Sequence, residues 1–180
     1  LSYNLVTIAG VDTPMSKSVY LLKLDNDNAV WVGNEDKTIQ VADVPGFALN
    51  VKKDSVTFPD GSKQGKLSIT QVNSWTLPMT PPYGIQPAMV VTIQPHGTQF
   101  NPPAPISVPN TSSALPGEEI EIYSFDHDIN EFITVGLGTV SEDGAVINSN
   151  PGVGIVKAGW GYVPPTPSNI KGRGGDCGSC

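Results

Sequence analysis

At 180 residues the chain has room for one large domain or two small ones, and it is long enough to bury roughly two-thirds of its unfolded surface. Charged residues make up 15%, against about 25% in an average soluble domain, while 19 Gly and 17 Pro account for one residue in five. That balance works against long surface helices and suits short strands joined by tight turns. The net charge of −7 and a pI near 4.6 speak against nucleic acid as a partner, because phosphates call for clustered Lys and Arg.

No stretch reaches 18 consecutive apolar residues, so no membrane-inserting helix is expected. The chain begins at Leu1 without a basic-then-apolar leader and reads as a piece of something larger, a mature secreted chain or an excised domain. In chain order, "SVYLLKL" (18–24) and "NAVWVGN" (28–34) flank "DND" and predict a first hairpin. "KTIQVADV" (37–44), "GFALNV" (46–51) and "DSVTF" (54–58) follow as strands, the last running into the "PDGS" turn at 59–62. "GKLSITQVN" (65–73) alternates as a half-buried strand should. The proline-rich "WTLPMTPPYGIQP" (75–87) cannot be a central strand and is expected to cross along a sheet edge.

"AMVVTIQP" (88–95) is almost continuously apolar and should be central. "APISVP" (104–109), "EEIEIYSF" (118–125), "EFITVGLG" (131–138), "AVINS" (145–149) and "VGIVKAGW" (153–160) complete the strands. Beyond Trp160 the composition is that of a linker. No helical periodicity exceeds about two turns, so the expected fold is all-β, an antiparallel two-sheet sandwich.

The stretch that looks most like chemistry is "YSFDHDINEF" (123–132). Asp126, His127 and Asp128 have the residue types of a cation site, and Ser124, His127 and Asp126 those of a hydrolytic set. Yet a serine three residues before a histidine on an extended strand is poorly placed to meet it. The other histidine, His96, lies in a separate turn, and no Gly-x-Ser-x-Gly or His-Glu-x-x-His occurs. Asp and Asn are also ordinary hairpin residues, because they bond their own backbone, so a hairpin tip explains the stretch fully. The chain is therefore expected not to be an enzyme.

Four further features bear on binding. "DNDNAVWVGNED" (25–36) sets Asp25 and Asp27 at alternate positions like the start of a calcium loop, but it lacks glycine at the sixth position and glutamate at the twelfth. Calcium at Asp25 and Asp27, or at Asp126 and Asp128, is thus the one cofactor the sequence suggests. Cys177 and Cys180 have the spacing of a disulfide or zinc half-site. "NTS" (110–112) is a glycosylation acceptor in a eukaryotic secretory setting. Trp75, Tyr83 and Trp160 could form a stacking surface for carbohydrate, although rings on separate strands are more often core and rim of a sandwich.

Taken together, "PGFALNVKKDSVTFPDGSKQGKLSITQVN", "QPAMVVTIQPHGTQFNPPAPISVPN" and "LPGEEIEIYSFDHDINEFITVGLGTVSEDGAVINSNPGVGIVKAGW" resemble the β-sandwich module of very large bacterial surface and secreted proteins that carry Rhs/YD repeats. That module is similar to the ZU5 domain of ankyrin-type and netrin-receptor proteins. The resemblance implies a non-catalytic spacer or interaction domain. Some ZU5 relatives cleave themselves at His-Phe-Ser, but His96 is followed by Gly97 and His127 by Asp128, so self-cleavage does not carry over.

The expected layout is then N-terminal strands in 1–45, a sandwich in 46–162 and a linker tail in 163–180. The expected role is an extracellular or cell-surface structural module whose partners are neighbouring modules or copies of itself. Residues 1–24 are a candidate donor strand for filament assembly, and the alternative role is carbohydrate binding.

Overall fold

The computed structural model describes residues 8–12, 21–77, 87, 89–126, 128–129 and 131–163. Thirteen strands are found among them: β1 Val30–Val32, β2 Lys37–Gln40, β3 Ala48–Val51, β4 Val56–Thr57, β5 Gly65–Val72, β6 Met89–Gln94, β7 Gln99–Ala104, β8 Ile106–Pro109, β9 Glu119–Asp126, β10 Glu131–Val140, β11 Val146–Ser149, β12 Ile155–Lys157 and β13 Trp160–Val163. A single turn of 3-10 helix at Ser74–Thr76 is the only helical element among the described residues. Its N-cap, Asn73, accepts a hydrogen bond from the Trp75 backbone N–H at 3.0 Å.

Every strand pairing is antiparallel. Ten strands form one sheet in the order β1-β5-β6-β13-β9-β10-β11-β8-β3-β2, and three form a small sheet in the order β12-β7-β4. The ends of the large sheet are β1 and β2, which are consecutive in sequence and joined only by residues 33–36. Laid flat, ten strands would span roughly 43 Å at about 4.8 Å per strand. A four-residue connection reaches at most about 18 Å. The sheet must therefore roll until its two ends meet, and the result is an antiparallel sandwich folded nearly shut as a barrel. Gly33 makes the connection possible: its φ is +106°, and a Cβ there would run into the Lys63 carbonyl.

Alternate residues of the rolled sheet point into one core. Leu49 and Val51 on β3, Leu67 and Ile69 on β5, Met89, Val91 and Ile93 on β6, and Ile120 and Ile122 on β9 are buried there. The small sheet covers the same core with Val56, Phe100, Ala104 and Ile155. Val32 of β1 and Ile39 of β2 also belong to it, so strands from the 1–45 region contribute directly to the core of the later strands.

The outer face of the large sheet divides into two halves. Over β5, β6, β13 and β9, a second apolar cluster joins Val72, Val90, Tyr123, Phe125 and Trp160, with Leu22, Leu77 and Phe132 packed against it. Phe125 and Phe132 meet edge to face, their centroids 5.0 Å apart. Over β2, β3, β8, β11, β10 and β9 the face is polar. One register row runs Gln40, Ala48, Ser107, Asn148, Thr139, Glu119. Hydroxyl-to-amide bonds link neighbours on this face: Ser107 Oγ donates to Asn148 Oδ1 at 2.6 Å, and Thr38 Oγ1 to Asn50 Oδ1 at 2.7 Å.

The central position expected for the run at 88–95 is found: β6 lies between β5 and β13, and its first five residues are all buried because both faces are covered. The hairpin expected at 123–132 is also found, with Glu131 opposite Asp126. Three local expectations change. The first hairpin does not form among the described residues: 21–26 carry no strand, and β1 takes β5 as its partner. The single closing strand at 153–160 is two, because the chain leaves the small sheet after Lys157 and re-enters the large one at Trp160. Finally, the strand expected at 104–109 begins only at Ile106, and Ala104 instead ends β7, which runs through Pro102 and Pro103 as the middle strand of the small sheet. The ladder tolerates them because its registered pairs fall at residues 99, 100 and 104, where proline's missing N–H is not needed.

Candidate functional site

The segment before β1 is shaped by local hydrogen bonds. The Asp25 carboxylate accepts from the Asn28 backbone N–H at 3.3 Å and from the Asn28 amide at 2.8 Å, which folds residues 25–28 into a turn. The Asp25 backbone N–H in turn donates to Thr70 Oγ1 of β5 at 2.8 Å, pinning the turn against the sheet. Beside it the turn after β2, closed by a bond from Val44 N–H to the Val41 carbonyl at 3.0 Å, brings up Asp43. Between them lies a cleft of ≈ 350 Å³ whose lining includes Lys23, Asp25, Asp27, Val41, Asp43, Ile69 and Thr70.

Sequence reasoning named Asp25 and Asp27 but missed Lys23, Asp43 and Thr70. These come from three separated stretches that share no motif, and only sheet closure assembles them. Among the described residues, no group of three or more His, Cys, Asp or Glu side chains is arranged to hold a metal ion.

The second acidic pair is elsewhere. Asp126 accepts a hydrogen bond from the Asp128 backbone N–H at 2.8 Å, and the Asp128 carboxylate meets Lys157 Nζ at 3.0 Å. Asp25 is tied to β5 through Thr70 and Asp126 ends β9, and β6 and β13 lie between those two strands. The structure does not bring Asp25 and Asp27 together with Asp126 and Asp128. His127 lies outside the described residues. Ser124 is buried, and its hydroxyl points at the Trp160 carbonyl 3.5 Å away. His96 sits near the same end of the molecule. Partial burial holds its imidazole below the ordinary value of 6.5, with Lys157 pushing the same way and Asp128 opposing.

The aromatic candidates separate as well. Trp75 is 82% exposed on the 3-10 turn, whereas Trp160 is buried in the outer apolar cluster and offers no open face for stacking. Trp160 packs there because β13 lies between β6 and β9, which bring Val90 and Phe125 to the same cluster. Tyr83, Cys177 and Cys180 lie outside the described residues. Asn110 is not displayed for glycosylation: its amide donates to the carbonyls of Ala114 at 2.8 Å and Gly144 at 2.9 Å, and its oxygen accepts from the Ala114 N–H.

Compared with family models, with curated proteins and with solved structures, the chain has no match.

Proposed function

We propose that the chain is a non-catalytic structural or interaction module of a larger extracellular or cell-surface protein, acting as a rigid spacer or assembly unit. The observation that carries this reading is the position of β13. It pairs with β6 at Trp160–Val163 and with β9 at Gly161 and Tyr162, so the last described strand is anchored in the middle of the ten-stranded sheet. Load applied there is shared by two ladders and by the apolar clusters on both faces, and the module resists as a unit.

Single-molecule pulling on the full chain tethered at its two ends tests the reading. One cooperative rupture is expected, and stepwise peeling of strands at low force would rule out a rigid spacer. Exposed Trp75 keeps carbohydrate binding as a second reading. It requires that Trp75→Ala abolish a fluorescence response to added oligosaccharide, and no response in the parent chain would end it.

A further inference from the structure

The two ends of the large sheet meet without closing, and residues 22–26 lie at the seam as a strap. β1 pairs with β5 at Gly65–Leu67, and beyond that point the strap takes its place against the β5 edge. The contacts that hold it run through side chains of β5. The Asp25 backbone N–H donates to Thr70 Oγ1 at 2.8 Å, and Ser68 Oγ meets Asn26 Oδ1 at 3.4 Å. Leu22 packs against the outer apolar cluster to which Val72 belongs.

The main-chain groups of that edge are left over. Ile93 of β6 donates its N–H to the Gly159 carbonyl at 2.8 Å, toward β13. Ile69 stands opposite Ile93, so its own N–H and C=O face away from β6, toward the strap, and those of Gln71 two residues on do the same. Among the described residues, no hydrogen bond reaches these four groups. The strap covers the edge without completing its ladder.

Yet the strap has the pattern of a strand. Leu22 and Leu24 are half-buried, and Lys23 between them is exposed. What bends the chain out of register is the turn at 25–28, closed by the two bonds from Asn28 to the Asp25 carboxylate. With that turn straightened, the register of β1, which sets Val30 opposite Leu67, would continue to Asn28 opposite Ile69 and Asn26 opposite Gln71.

Resting on the assembly-unit reading above, we propose that the turn at 25–28 is the hinge of a strand exchange between two copies of this chain. On opening, residues 26–28 extend β1 and supply the bonds that Ile69 and Gln71 lack. The segment before the hinge is carried past the end of β5, and its Leu22 enters the outer cluster of the second copy. The occupant is a second copy because the site already fits this segment. Contacts that Leu22 gives up in one chain are remade in the other, and the hinge alone gains new bonds.

The test follows oligomeric state by light scattering and amide hydrogen exchange on the full chain and three variants. The parent chain is expected to form dimers at high concentration. Asp25→Ala removes both turn bonds and should raise the dimer fraction about fivefold or more, and Asn28→Ala, which removes the amide bond alone, should act in the same direction by less. In the dimer the N–H groups of Ile69 and Gln71 should exchange at least about tenfold more slowly than in the monomer, because they have joined a ladder. Leu22→Asp spoils the anchor and should abolish the dimer.

Three results would each overturn the proposal: no dimer from either turn variant, dimers whose Ile69 and Gln71 amides exchange as fast as in the monomer, or dimers that persist in Leu22→Asp. The pulling experiment separates this failure from that of the parent reading. Cooperative rupture of a chain that never dimerises removes the exchange alone, and dimers that pass every test while the chain ruptures stepwise remove the rigid spacer alone.

Discussion

Asn110 shows how one side chain fixes two loops. Its amide donors hold the carbonyls of Ala114 and Gly144, residues four and thirty-four positions away, and its oxygen accepts from the Ala114 N–H and from Ser112 Oγ. Asn110→Ala strands two carbonyls and an N–H in a partly buried site, so a loss of about 2–3 kcal/mol is expected in urea unfolding. The residue was legible in the sequence only as the first position of "NTS", and its true role depends on Gly144, which no local pattern links to it. Asp25 and Asp126 behave as their residue type predicts, since each accepts a hydrogen bond from a backbone N–H two or three positions onward. Residues of this kind were readable because their partners lie within a few positions.

At the scale of single strands, β6 and the start of β10 are opposites. Val91 faces the main core and Val90 the outer cluster, and both are essentially inaccessible to solvent. On β10, Ile133 is 38% exposed, and β11 pairs with that strand only from Gly138 onward. Val90→Ala and Val91→Ala should therefore each destabilise by roughly 1–3 kcal/mol, while Ile133→Ala should stay within about 0.5 kcal/mol. A thermal-melting series over the three variants checks this, and a strong asymmetry between Val90 and Val91 would mean that the outer cluster is not a true second core. The unbroken apolar run of β6 announced this burial in advance. The sequence did not announce that the 153–160 stretch serves two sheets, because its break at Ala158–Gly159 is set by bonds to residues 93, 97 and 98.

For the whole molecule, closure makes the N-terminal strands indispensable. Val32 and Ile39 are buried in the same core as Leu49 and Leu67. A fragment of residues 46–163 would expose those partners, and it is expected to be molten or aggregated, without a cooperative transition in near-ultraviolet circular dichroism. Acid should act on the intact fold in one direction. Hydrogen bonds hold the exposed carboxylates of Asp36, Asp60 and Asp143 below their ordinary value of 3.8: Lys52 acts on Asp36, the Ser62 N–H on Asp60 and the Ser141 hydroxyl on Asp143. Burial holds His96 below 6.5. All four groups bind protons more readily in the unfolded chain, so stability rises with pH across their range. The His96 contribution is complete above pH 6.5 and lost as pH falls below it, and the carboxylate contributions are lost below about pH 4. Urea midpoints measured from pH 3 to 7 check this, with His96→Gln expected to flatten the upper part of the curve.

The sequence by itself determined that the chain is all-β and antiparallel, where most of its strands and turns lie, and that the strand at 88–95 is covered on both faces. Those properties are carried by alternation, proline and glycine placement, and side-chain-to-backbone bonds, all of which act over a few residues. Which strand pairs with which was decided only by the tertiary structure: β1 with β5, β13 between β6 and β9, and the seam where Asp25, Asp27 and Asp43 come together. Such pairings join positions from 33 residues apart (Val32 with Gly65) to 74 (Val163 with Met89), and their selection depends on filling one common core, a condition that no single stretch of the chain encodes.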